Sequence, residues 1–206
     1  MNLPNKLSLM RIILVPVTIL FMIPIDIFGW QPEGWNNFIN NNGMIVAAII
    51  FIVASLTDTA DGMIARKYNL ITDLGKFLDS LADKILVVSV MIAFVELGRI
   101  SGWCLIVICL REFAVLGLRM IAAAKNDVIA ARMIGKVKTV TQMIAVIYMM
   151  FEPLLLKISG IGFTGYANLG INAITIIGDV LFGICVIMTV ISGVDYLVKG
   201  KMYLKG

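Results

Sequence analysis

The sequence predicts an all-α integral membrane protein, a bundle of six transmembrane helices preceded by a short N-terminal amphipathic helix. The chain has 206 residues, of which 60% are hydrophobic. Its mean hydropathy of +0.99 exceeds that of an ordinary soluble domain. Apolar runs long enough to span a bilayer recur about six times. This length suits one helical bundle, so we expect a single domain over residues 1–206.

Polar or glycine-containing stretches separate the six predicted spans, which are 7–28, 44–65, 75–97, 102–124, 133–156 and 171–198. No small-x-small cleavage site follows the first run, so it is predicted to be a mature membrane helix rather than a signal peptide. Five asparagines predict that the stretch 36–42 is a polar outer loop. The three cysteines lie in apolar runs without metal-ligand spacing, which is typical of inert core residues.

Basic residues are concentrated at one set of helix ends, and these are Lys6, Arg11, Arg66, Lys67, Lys76, Lys125, Arg132, Lys136, Lys138, Lys199, Lys201 and Lys205. The opposite loops contain only Arg99 and Lys157. The positive-inside rule therefore places both termini in the cytoplasm. The net charge of +4 then reflects topology and attraction to anionic headgroups rather than nucleic-acid binding.

Four aspartates interrupt this apolar chain near the predicted cytoplasmic side. Asp58 and Asp61 are three residues apart, and Asp79 and Asp83 are four apart, so each pair shares a helix face. A carboxylate at the centre of a membrane helix costs roughly 2.5–3.5 kcal/mol on insertion scales. A bound divalent cation would offset that cost, and hard oxygen ligands favour magnesium, manganese or calcium.

The sequence also allows other interpretations of the aspartates. They could form a structural ion-pair network with Arg66, Lys76 and Lys84. An ion-coupled transporter or proton channel also uses intramembrane carboxylates, but it predicts charges through the whole membrane depth. Asp179 is the one aspartate that such a pathway would suit, and its role is undefined. A magnesium-dependent prenyltransferase would need two separated aspartate motifs. Histidine is absent, which excludes phosphohistidine chemistry and histidine-ligated zinc.

Residues 58–83 read Asp-x2-Asp-Gly-x2-Ala-Arg-x8-Gly-x3-Asp-x3-Asp. This pattern resembles the signature of the CDP-alcohol phosphotransferases, and all its fixed positions are filled. Three further stretches resemble bacterial members that transfer to glycerol 3-phosphate. They are the start, Asn2 to Arg11; Arg111-Glu112-Phe113 with Arg119; and Gly135-Lys136-Val-Lys138-Thr-Val-Thr-Gln142. Leu3 and Ser8 depart mildly from the expected isoleucine and threonine.

The resemblance implies that CDP-diacylglycerol donates its phosphatidyl group to sn-glycerol 3-phosphate and that CMP leaves. It further implies a divalent metal, most simply magnesium, bound by Asp58, Asp61, Asp79 and Asp83, with Asp83 as the general base. The CDP-diacylglycerol contacts implied by the motif are Asn5, Gly62, Ala65, Arg66 and Gly75. A homodimer in the bacterial cell membrane, with its active site on the cytoplasmic side, is expected on the same basis.

A phosphorylated acceptor needs its own basic pocket, for which Arg111, Arg119, Lys136 and Lys138 are the candidates. The two arginines are eight residues apart and so lie on roughly one helix face. Simpler interpretations of these residues are also possible. Arg111 could form a structural pair with Glu112, the two lysines could anchor the protein at the membrane interface, and Asn5 could cap a helix. Inositol phosphate, serine and phosphatidylglycerol remain alternative acceptors.

Overall fold

The structure is a computed structural model that describes the backbone over residues 3–67, 73–124 and 133–204. Side chains are described over 8–57, 81–82, 84–122 and 133–198. These parts of the chain form helices without a β-sheet, and an isolated β-bridge joins Ile27 to Trp30. The all-α prediction is therefore confirmed for the residues that the structure describes.

The helices follow the chain in the order α1 (Leu3–Met22), α2 (Glu33–Phe38), α3 (Met44–Lys67), α4 (Asp73–Glu96), α5 (Gly102–Ala124), α6 (Met133–Ile158) and α7 (Ala173–Leu204). A π-helical segment, Ile39–Gly43, joins α2 to α3. Each of the six predicted spans overlaps one of the long helices. Helix α1 ends at Met22, before the limit of 28 that was predicted for the first span, because Pro24 disfavours a helical conformation at Ile23.

Three helical stretches are long and apolar enough to cross a membrane: Glu33–Thr57, Met133–Ile158 and Ala173–Val198. Ser8–Met22 is a shorter apolar helix. Only the described residues enter this comparison, so the count of six spans remains a prediction. Leu3–Met22 is one continuous helix, and a separate amphipathic helix before the first span is not confirmed.

The asparagine-rich stretch 36–42 is helical, so the prediction of an outer loop there is wrong. The Asn36 side chain accepts a hydrogen bond from the Ile25 amide at 2.8 Å and donates to the Ile25 carbonyl at 2.9 Å. Trp35 and Phe38 pack their rings against Phe21 of α1. Their ring centres lie 5.5 and 6.4 Å, respectively, from the ring centre of Phe21. These tertiary contacts outweigh the weak helix propensity of asparagine.

The first of two compact units comprises Met1–Arg99 and Met149–Leu169. Within it α1 packs against both α3 and α4, and α3 also contacts α4. Ala47, Ala48 and Ala54 of α3 are fully buried. Their small side chains allow close approach of neighbouring helices. Gly43 is closer still, since a Cβ there would lie 2.4 Å from the Phe21 carbonyl oxygen.

A proline shapes the end of α6 inside this first unit. Pro153 has no N–H, so the Met149 carbonyl lacks the donor that a helix normally provides. The Tyr166 hydroxyl donates to that oxygen at 2.5 Å and supplies the missing hydrogen bond. Burial raises the pKa of Tyr166, as does nearby Glu152, while Arg99 lowers it. The net direction is upward, so the hydroxyl remains a neutral donor.

The second unit comprises Ile100–Tyr148 and Gly170–Gly206. In it α5 packs against α7. The Tyr148 hydroxyl donates to the Ile174 carbonyl at 2.9 Å and ties α6 to the start of α7. Residues 133–148 of α6 therefore belong to the second unit, and 149–158 belong to the first.

Candidate functional site

The aspartate motif lies on two helices that contact each other in the first unit. Positions 58, 61, 62, 65 and 66 belong to α3, and positions 75, 79 and 83 belong to α4. The helical backbone confirms the periodicity that places 58, 61 and 65 on one face and 75, 79 and 83 on another.

The side chains at these positions lie outside the described residues, as does that of Asn5. The motif residues concerned are Asp58, Asp61, Gly62, Ala65, Arg66, Gly75, Asp79 and Asp83. The predicted metal, nucleotide and general-base roles therefore stay predictions. The donor set itself fits a hard divalent cation, because it consists of carboxylate oxygens on two adjacent helices.

A group of polar side chains, here called the cationic cluster, lies in the second unit. It is built on α5, α6 and α7 and consists of Arg111, Glu112, Arg119, Lys138, Gln142, Ser192 and Tyr196. Arg111 donates to the Glu112 carboxylate at 3.0 Å and to the Ser192 hydroxyl at 2.6 Å. The pairing of Arg111 with Glu112 is therefore confirmed.

Lys138 is the most deeply buried cation of the cluster, with a relative exposure of 2%. Its ammonium contacts the same Glu112 oxygen that Arg111 contacts. It also donates to the Gln142 side-chain oxygen at 2.5 Å. An interface anchor would keep its charged group in water or among headgroups. The anchoring interpretation of Lys138 is therefore wrong.

The aromatic ring of Tyr196 joins the two arginines of α5. Arg119 donates to its hydroxyl at 2.8 Å. The guanidinium carbons of Arg111 and Arg119 lie 5.7 and 5.5 Å from the ring centre, within the range of cation–π attraction. Both arginines thus meet one residue, which confirms that they share a helix face.

Two glycines leave room for these side chains. A Cβ at Gly193 would lie 3.1 Å from Cγ of Arg111, tighter than ordinary van der Waals contact. At Gly135 it would lie 3.5 Å from the Tyr196 ring and 3.8 Å from an Arg111 nitrogen. Gly135 thus brings the start of α6 against both Tyr196 and Arg111.

The structure divides the predicted acceptor-phosphate residues. Arg111, Arg119 and Lys138 meet in the cationic cluster, whereas Lys136 is exposed. No described residue gives Lys136 a hydrogen bond or ion pair, and its role remains a prediction. Asp179 is also exposed, on α7. Ser192 and Tyr196 were not predicted, although their spacing of four residues on α7 was a signal available in the sequence.

The cluster holds donors that the described part of the protein does not saturate. The Nε atoms of Arg111 and Arg119 are buried and have no acceptor among the described residues. The cluster as defined contains three cations and one carboxylate, that of Glu112. Buried N–H groups of a cation require acceptors, and the oxygens of an anion such as phosphate would provide them.

Comparison with known proteins agrees with the motif. A family model described as CDP-alcohol phosphatidyltransferase matches residues 1–194. A CDP-diacylglycerol–glycerol-3-phosphate 3-phosphatidyltransferase of Bacillus subtilis is 39% identical over 209 residues, covering 99% of this chain and 97% of the relative. A protein of the same name from Rickettsia felis is 33% identical and covers 98% of this chain and 97% of its own length. The chain therefore belongs to the CDP-alcohol phosphatidyltransferase family.

Proposed function

We propose that this protein transfers the phosphatidyl group of CDP-diacylglycerol to sn-glycerol 3-phosphate. The products would be phosphatidylglycerophosphate and CMP, which makes the protein a phosphatidylglycerophosphate synthase of phospholipid biosynthesis. The relatives named above carry that activity in their names. The cationic cluster is the observation in this structure that favours a phosphorylated acceptor. Membership of the family replaces the transporter and prenyltransferase interpretations.

The donor half of the reaction is assigned to the aspartate motif. Asp58, Asp61, Asp79 and Asp83 would hold a divalent metal, for which magnesium is our first choice and manganese the second. When bound, the metal would stabilise negative charge on the pyrophosphate and the departing CMP. Contacts to CDP-diacylglycerol are assigned to Asn5, Gly62, Ala65, Arg66 and Gly75.

The chemical step is an attack by the acceptor hydroxyl on the phosphorus attached to diacylglycerol. A new phosphorus–oxygen bond forms to glycerol 3-phosphate, and the bond between that phosphorus and the bridging oxygen of CMP breaks. Asp83 accepts the hydroxyl proton, and CMP leaves with the electron pair of the broken bond. Phosphoryl transfer of this kind depends mainly on positioning and charge stabilisation.

The acceptor half is assigned to Arg111, Arg119 and Lys138, with Lys136 as a further candidate. Arginine can bind phosphate oxygens through two parallel hydrogen bonds, and a lysine ammonium adds a point charge. Serine lacks a phosphate, and the phosphodiester of phosphatidylglycerol carries a single negative charge. Inositol phosphate would suit the same cations, so direct comparison of acceptors must decide between it and glycerol 3-phosphate.

The cellular setting is proposed from the charge pattern and the family. Both termini and the active site would be on the cytoplasmic side of a bacterial membrane. The single domain would cross that membrane six times, with the first turns of α1 as its amphipathic segment, and would form a homodimer.

The test is CMP release by the detergent-purified protein given CDP-diacylglycerol and magnesium. Glycerol 3-phosphate, inositol phosphate, serine and phosphatidylglycerol are supplied separately. Release with glycerol 3-phosphate alone, abolished by a chelator, is the expected result. Release with a different acceptor alone would reject the proposed substrate, and the absence of release from folded protein would reject the reaction.

A further inference from the structure

Glu112 and Gln142 belong to the sequence motifs that carry the cationic cluster, yet neither can bind a phosphate by charge. An ionised carboxylate has only acceptor oxygens and repels an anion. Both residues are nevertheless buried, with relative exposures of 8% for Glu112 and 5% for Gln142. Burying a carboxylate is unfavourable unless it is paired. Glu112 therefore requires a role other than contact with the acceptor phosphate, and the side-chain oxygen of Gln142 is already engaged by Lys138.

One oxygen of Glu112 connects two cations from different helices. Arg111 of α5 and Lys138 of α6 both donate to Oε1 of Glu112. Because a hydrogen bond is at most about 3 Å long, the two donating nitrogens cannot be more than about 6 Å apart. Two like charges at that distance repel, and the shared carboxylate offsets this repulsion. Glu112 thus keeps Arg111 and Lys138 close enough to bind a single phosphate group.

Gln142 restricts the same lysine from a second direction. It lies one helical turn after Lys138 and accepts from the ammonium at 2.5 Å. An ammonium has three N–H donors, and Glu112 and Gln142 engage two of them. No further acceptor among the described residues contacts this ammonium, and the buried Nε of Arg111 has none either. Fixed cations with free donors form a preorganised anion site.

We propose that Glu112 and Gln142 are positioning residues, which hold Lys138 and Arg111 in the geometry that binds the phosphate of the acceptor. This inference rests on the proposed function, because it assigns these two residues to its acceptor pocket. In this proposal they act through the two cations and not on the reacting atoms or the donor. Their replacement should therefore change acceptor binding specifically.

The experiment compares steady-state kinetics of Glu112→Gln, Glu112→Asp and Gln142→Met in the full-length protein. Glu112→Gln should raise the KM for glycerol 3-phosphate about tenfold or more, because it removes a charge-assisted partner of both cations. The KM for CDP-diacylglycerol should stay within about twofold. Glu112→Asp keeps the charge on a shorter side chain and should recover part of the loss. Glu96→Gln, at an exposed position, is the matched control.

A second arm covers the case in which Glu112→Gln does not fold. Gln142→Met replaces the acceptor oxygen by an apolar group of similar size and should raise the acceptor KM about fivefold. In a Lys138→Ala background the same substitution should have little further effect, because its action depends on Lys138. An equal effect in both backgrounds would show that Gln142 does not act through the lysine.

The outcomes separate this inference from the function on which it rests. If the wild-type protein transfers to glycerol 3-phosphate but Glu112→Gln changes both KM values equally, Glu112 has only a structural role and the inference is wrong. An unchanged acceptor KM in the folded variants overturns it as well. If the wild-type protein does not use glycerol 3-phosphate, the proposed function and the inference both fail.

Discussion

The sequence predicted some features of the cationic cluster and missed others. The spacing of Arg111 and Arg119 predicted a shared face, and both meet Tyr196. The burial of Lys138 could not be predicted, because short basic runs near helix ends usually face headgroups. Tyr196 was missed because a tyrosine in an apolar run is more often a core residue, although its spacing of four residues from Ser192 was a signal.

Arg119→Ala is expected to raise the KM for glycerol 3-phosphate more than about tenfold and to leave the KM for CDP-diacylglycerol nearly unchanged. The substitution removes a charged donor and leaves that point of the cluster without a cation. Steady-state assays with each substrate varied separately measure this split. Met120→Ala, the exposed neighbour on α5, serves as the control. Equal changes in the two KM values would argue against a dedicated acceptor-phosphate pocket.

Asp83→Asn is expected to reduce turnover at least about a hundredfold while CDP-diacylglycerol binding is largely retained. The amide cannot accept the hydroxyl proton, and general-base catalysis typically contributes about two to four orders of magnitude. Single-turnover CMP release measures the chemical step, and equilibrium binding of the donor measures the ground state. Full turnover in the variant would exclude Asp83 as the base.

Helices α2 and α6 show how tertiary contacts decide local structure that propensity leaves open. The asparagines over 36–42 predicted a loop, but ring packing against α1 and the Asn36 hydrogen bonds stabilise a helix with a π segment. Proline at position 153 would ordinarily interrupt α6. The helix continues through it to Ile158, and Tyr166 supplies the lost donor. Sequence cannot reveal such a partner in a separate loop.

Tyr166→Phe is expected to reduce the free energy of unfolding by about 1–3 kcal/mol, because the buried Met149 carbonyl loses its donor. In a Pro153→Ala background the loss should be smaller, since the backbone amide restored at position 153 can donate to the same oxygen. Chemical unfolding in detergent of the wild type, the two single variants and the double variant measures this coupling. Equal losses in both backgrounds would contradict the replacement of the missing amide by the hydroxyl.

Gly43→Ala is expected to destabilise the protein by about 1–3 kcal/mol. The new Cβ would meet the Phe21 backbone oxygen at 2.4 Å, so α1 and the π segment would have to separate. Thermal unfolding reports the change. Gly34→Ala, where a Cβ meets nothing within 4 Å, is the matched control and should have little effect. Similar stability of the two variants would disprove the close packing at Gly43.

At the scale of the whole molecule, composition and charge predicted the membrane class and the helical fold. They did so because bilayer thickness fixes the length of an apolar run, and translocation sorts basic residues to one side. The number of spans and the cytoplasmic position of the termini remain predictions. The class of reaction could be predicted from the motif at 58–83. The identity of the acceptor could not, because it depends on how separate helices bring their cations together, as they do for Arg111 and Lys138.

The most direct measurement follows the fate of an ¹⁸O label in the primary hydroxyl of glycerol 3-phosphate. The purified protein is supplied with this substrate, CDP-diacylglycerol and magnesium, and both products are analysed by mass spectrometry. Attack of the acceptor hydroxyl on phosphorus predicts phosphatidylglycerophosphate that retains the label and CMP that carries none. Labelled CMP, or the absence of a labelled lipid product from folded protein, would contradict the proposed reaction.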